Sequence, residues 1–148
     1  MIQPVPTNLF IYGTLLEAAQ HPMGQLLRDN GSFVARGSIR ARLYIIDEVD
    51  EHGPNSFPAA VPSFENEDRV HGEVFALHAP DIVLPKFDDY EACSPRWPEP
   101  HEFLRRSVKV LLEDGSVLDA ISYLYTYDIS RARQVPGGRF TEVSPQTR

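Results

Sequence analysis

Cysteine is nearly absent from this 148-residue chain. The lone thiol, Cys93, allows no internal disulfide, and a reducing compartment, the cytoplasm, is the simplest home. Positive charge is also scarce: 14 basic residues face 21 acidic ones, a formal net charge of −7. That balance lacks the basic footprint of a nucleic-acid surface. It leaves room for a small anionic or zwitterionic substrate, because local groups set a pocket. No apolar run approaches the roughly 18 residues of a membrane span. The opening MIQPVPTN has no positive charge ahead of an apolar core, so no secretory signal is expected there. His21, His52, His71, His78 and His101 are scattered, with no H-x-H or H-E-x-x-H spacing, and no metal site is expected. There is no G-x-x-x-x-G-K-[ST], no G-x-G-x-x-G and no G-x-S-x-G. Phosphate loops and serine hydrolase chemistry therefore lack their sequence signals.

What is present reads as one domain over residues 1–148, with a core at about 8–128 and a tail at 129–148. A chain of this length buries roughly 70% of its unfolded surface and needs no staples. Its 13 prolines fall in separate clusters and punctuate loops. Strand character runs over Leu9–Tyr12, then a turn at Gly13–Leu15, then a helical pattern in Glu17–Asn30. Ser32–Asp47 reads as two strands or one bent strand, with Gly37 a bulge or crossing point. Asp47–Asn55 is polar and carries Gly53-Pro54, so an exposed loop is expected. Phe57–Val61 reads as a short edge strand, and Val70–Leu77 as a clearer strand. Pro80–Glu91 reads as a helix that begins near Pro85 or kinks there. Cys93–His101 holds three prolines and reads as a loop. Phe103–Leu112 and Val117–Tyr127 form a hairpin about the Asp114-Gly115 turn, after which the chain turns polar and loosens. The order is α+β, with an antiparallel or mixed sheet able to curl into a small barrel.

Two features carry chemical interest. The stretch NLFIYGTLL, Asn8–Leu16, is a buried strand running into a glycine-permitted turn. Such a turn can aim several backbone N–H groups into one concavity. Far along the chain, Glu91 shares a helical face with Leu84 and Phe87, at i, i+3 and i+7. A carboxylate facing an apolar interior loses hydration, which raises its pKa toward the range of a general acid or base. Asp88 and Asp89 lie on other faces. Tyr123, Tyr125 and Tyr127 share one strand face as core or pocket wall, and Tyr123 is a candidate for substrate contact. Of Arg105 and Arg106, one points inward, where pairing with an internal acid is the common use. Cys93 reads as a small buried or loop thiol.

Taken together, these patches resemble the γ-glutamylcyclotransferase-like family, which includes γ-glutamylamine cyclotransferases and AIG2-like proteins. Tyr12-Gly13-Thr14-Leu15 matches its YGTL motif. Arg42-Leu43-Tyr44, Phe57–Val61, Val70–Phe75 and Phe87–Glu91 follow in the family's order, with the hairpin completing it. Phe87, Ala92 and Leu104 depart from the residues most frequent there. The resemblance implies a small mixed β-barrel flanked by a few helices, with a pocket at one end. It implies that the backbone of Tyr12, Gly13, Thr14 and Leu15 holds a γ-glutamyl group and that Glu91 is the acid–base residue. It implies release of 5-oxoproline and a free amine or peptide, without cofactor. The partner expected is a small γ-glutamyl compound, with no nucleic acid and no membrane. Two other readings use the same pocket: a binding protein for a small metabolite without turnover, and a scaffold whose pocket is vestigial.

Overall fold

The computed structural model describes residues 7–12, 22–51, 53–91 and 93–140. The expected turn at Gly13–Leu15, the start of the first helix at Glu17–His21, Ala92 and the tail beyond 140 lie outside them. The described elements are β1 (Thr7–Ile11), α1 (Pro22–Asn30), β2 (Gly31–Asp50), β3 (Gly53–Pro62), β4 (Arg69–Leu77), α2 (Pro80–Tyr90), β5 (Phe103–Leu112), β6 (Val117–Tyr125) and β7 (Arg133–Val135). Neither described helix is long and apolar enough to cross a membrane.

β1, β4, β2, β5 and β6 close on themselves as a five-stranded mixed barrel. Among the described strands, only the β1–β6 pairing is parallel. Period-two alternation explains why β1 is apolar at every buried position. Phe10 and Tyr12 point into the barrel with Ile39, Leu43, Val70, Val74, Val110 and Leu124. Leu9 and Ile11 point outward, under α1 and α2, with Leu27, Val83, Phe87, Tyr123 and Tyr125. A strand covered on both faces reads as a continuous apolar run.

The barrel is narrow, and one glycine pair makes that possible. Gly37 of β2 faces Gly72 of β4. A Cβ on Gly72 would lie 2.1 Å from the Ile11 carbonyl oxygen, and one on Gly37 would lie 2.7 Å from that of Leu111. Side chains at these two positions would push β1 and β5 off the sheet. Gly37 is thus the crossing point, while the bulge in β2 falls between Phe33 and Ala35.

Two expectations need correction. Asp47–Asn55 is exposed along much of its length, yet it is not a loop: β2 continues to Asp50 and β3 begins at Gly53, paired residue for residue. Polar cross-strand contacts hold this arm, including Ser56 Oγ donating to Asp47 Oδ1 at 2.5 Å and Arg133 paired with Asp47 at 3.0 Å. β3 lies at an end of the strand order, an edge position that tolerates its prolines. The segment after Tyr127 does not simply loosen. β7 pairs with Leu43–Ile45 of β2, Val135 is buried, and Phe140 packs against the barrel core. The helix expected at Pro80–Glu91 is α2, which starts at Pro80, a favoured first-turn position, and runs through Pro85.

Candidate active site

Burial of Val83 and Phe87 fixes which way α2 faces. Val83 takes the deepest position of the first turn, and Leu84 packs partly against the same cluster. Glu91 directly follows the helix and keeps its register, with its N–H donating to the Phe87 carbonyl at 2.8 Å. Four residues beyond Phe87, it therefore continues the buried stripe. Desolvation, followed by the nearby charge of Glu102, pushes the Glu91 carboxyl from its ordinary 4.5 up to about 7. Neither contribution comes from a cation.

Tyr12 closes β1 and sits inside the barrel. Its hydroxyl donates to the Tyr123 carbonyl at 2.6 Å and accepts the Ala60 N–H at 3.2 Å, which ties β6 to β3. Burial raises the phenol far above its ordinary value, and the charge of Glu91 adds to the shift. Tyr12 and Glu91 thus share one electrostatic neighbourhood, although 79 residues separate them in sequence. Gly13, Thr14 and Leu15 lie outside the described residues. Tyr123 braces this arrangement from both ends. Its carbonyl holds Tyr12, and its hydroxyl donates to Asp88 Oδ1 at 2.6 Å, on the last turn of α2. Arg105 meets the other Asp88 oxygen at 3.3 Å, so Arg105 is the hairpin arginine paired with an acid.

The segment after Glu91 is anchored at Asp89. Ser94 Oγ donates to the Asp89 carboxylate at 2.9 Å, Arg96 pairs with it, and Trp97 Nε1 donates to the Asp89 carbonyl at 3.0 Å. The Arg96 guanidinium, ahead of the other contacts, holds the Asp89 carboxyl below its usual range. The Cys93 thiol is pushed up to about 11, mainly by burial and then by Asp88. It is a neutral thiol at physiological pH, as expected of a loop cysteine.

Sequence reasoning missed Glu102 and Glu48, and it placed Tyr125 only as core or pocket wall. Burial, followed by the charge of Glu48, raises the Glu102 carboxyl, and the Tyr125 hydroxyl donates to it. Glu102 stands among prolines just before β5, with no spacing that marks it. Its proximity to Glu91 arises only when β5 folds alongside the end of α2. The assembled group is a desolvated carboxyl that exchanges a proton near neutral pH, walled by tyrosines whose protons are held.

The family profile described as "Gamma-glutamyl cyclotransferase, AIG2-like" matches residues 9–142. No curated protein sequence gives a significant match. Among solved structures, an AIG2-like protein from Mus musculus is 21% identical over 97% of this chain and 99% of its own, with a TM-score of 0.56. A gamma-glutamyl cyclotransferase is 16% identical over 88% of this chain and 70% of its own, with a TM-score of 0.62. An allophanate hydrolase from Kluyveromyces lactis is 15% identical over 93% of this chain but only 21% of its own, with a TM-score of 0.62. At these identities the structural likenesses show a shared fold, and the profile match over most of the length decides membership. The chain belongs to the γ-glutamyl cyclotransferase, AIG2-like family.

Proposed function

We propose that this protein catalyses intramolecular acyl transfer on a γ-glutamyl amine or peptide. The substrate's α-amine attacks its own γ-carbonyl, the C–N bond to the leaving amine breaks, and 5-oxoproline and the free amine depart. An ammonium is not a nucleophile, so a base must first take its proton. Glu91 is that base, and it returns the proton to the leaving nitrogen as the tetrahedral intermediate collapses. Both reacting groups belong to one molecule, so holding it folded supplies much of the acceleration. The backbone at Tyr12–Leu15 grips the γ-glutamyl group, with Tyr123 in the supporting wall. This chemistry requires no metal or organic cofactor.

The observation that carries the reading is the state of Glu91: a desolvated carboxyl raised to about 7, in electrostatic reach of Tyr12. A base poised near the working pH is matched to this proton transfer. The test is release of 5-oxoproline across a panel of γ-glutamyl amines, with Glu91→Gln alongside. Turnover by the parent and its loss in the variant is the expected result. Undiminished turnover in the variant would remove Glu91 from the mechanism. Failure of the parent on every amine would favour a protein that binds without turnover.

A further inference from the structure

β2 and β5 join the barrel wall through only two residue pairs, Gly37 with Leu112 and Ser38 with Leu111. Beyond them the two strands part, and a cleft of about 850 Å³ opens. Its floor is barrel core: Ile39, Ala41, Val108 and Leu124. At its mouth stand three exposed apolar side chains, Phe64, Leu111 and Val117. Its rim carries Arg40, Arg69, Arg106 and Lys109, on both walls.

These cations are poorly matched within the chain. Lys109 meets Asp119 at 2.6 Å. Arg40 donates to the neutral Asn66 Oδ1 at 3.0 Å, and Arg69 donates to the hydroxyl and carbonyl of Ser38 at 3.0 and 2.8 Å. Among the described residues, no carboxylate pairs with the guanidiniums of Arg40, Arg69 or Arg106. Burial and the neighbouring charge of Arg40 both disfavour the charge on Arg69. In a chain of net charge −7, three guanidiniums have gathered over an apolar floor with no counter-ion among the described residues.

We infer that this cleft is a second binding site, for an amphipathic carboxylate whose head sits between the arginines and whose aliphatic body covers the floor. A guanidinium fork matches a carboxylate in shape as well as charge. The cleft's size is within the roughly 300–1,000 Å³ of small-molecule sites. Covering the apolar floor removes it from water, which favours an aliphatic body over a bare head group. The site is separate from the acidic one, since Glu91, Tyr12, Tyr123 and Glu102 do not line it. Tyr125 stands between the two, lining the cleft and donating its hydroxyl to Glu102.

The experiment is a calorimetric titration of the full chain with decanoate, with acetate and decylammonium as the head-only and charge-reversed probes. Decanoate is expected to bind saturably with Kd below about 1 mM. Acetate and decylammonium should bind at least about ten-fold more weakly. Arg40→Gln with Arg106→Gln should weaken decanoate by about ten-fold or more, with the thermal midpoint and 5-oxoproline release unchanged. Both arginines lie at the rim, so the fold does not depend on them. The inference is overturned if decanoate fails to saturate at about 1 mM, if decylammonium binds equally well, or if the double substitution leaves its affinity intact.

Discussion

The two ends of one short acidic run, Asp88-Asp89 and Glu91, are treated in opposite ways by the fold. Asp89 is met by Arg96 and Ser94, and its carboxyl is held low. Asp88 is met by Tyr123 and Arg105. Glu91, two residues beyond Asp89, is desolvated and lies near the charge of Glu102, and its pKa is driven up to about 7. The difference is one of partners. Paired acids at the end of α2 hold the helix and the following loop in place, whereas Glu91 has no ion-pair partner among the described residues and keeps a raised pKa. Stability and chemistry are thus divided among neighbours, and the division can be tested from either side.

Glu91→Gln has the largest expected effect. Loss of the base should lower kcat by about 10²–10⁴-fold with little change in KM, while Asp89→Asn leaves kcat within a few-fold. Initial rates of 5-oxoproline release read both. Next is pH. The base must be ionised, so kcat/KM should fall about ten-fold per unit below pH 7, following the free enzyme's Glu91. A bound substrate ammonium favours the carboxylate, so the limb in kcat should sit lower than the limb in kcat/KM.

Stability should move against activity. Between 4.5 and about 7 the folded chain keeps a proton on Glu91 that the unfolded chain has released, so stability falls as pH rises through this window and levels off above it. Glu91→Gln removes that penalty. Denaturant unfolding at pH 8 should show the variant more stable by up to about 3 kcal/mol, with the advantage gone below pH 4.5. Asp89→Asn should lower the thermal midpoint slightly, by an amount that shrinks in high salt. Smallest is Tyr123→Phe, which strips the phenol donor from Asp88 and should cost about 1 kcal/mol. Its activity should drop only a few-fold, because the Tyr123 carbonyl still holds Tyr12.

Much of this arrangement was readable in the sequence. β1, α2 and the β5–β6 hairpin follow from apolar periodicity and the Asp114-Gly115 turn. Glu91 stood out because a carboxylate continued the stripe that includes Phe87. The β2–β3 arm was hidden because its outer pairs are polar and Pro54 mimics a loop signal. Those pairs are made between strands, where sequence periodicity within one strand says nothing. β7 is too short to show a period, and its place depends on the edge offered by Leu43–Ile45. Glu102 and the unpaired arginines of the cleft acquire meaning only from which strands lie next to each other. Partnerless charge is a property of the fold, and no local spacing announces it.

Among the described residues Glu91 is desolvated without an ion-pair partner, whereas Asp89 is paired. One carbon-detected NMR titration of the side-chain carboxyls measures both groups in the same sample. Glu91 is expected to titrate at about 7 and Asp89 below its ordinary 3.8. A Glu91 that titrates at its ordinary 4.5 would contradict that expectation.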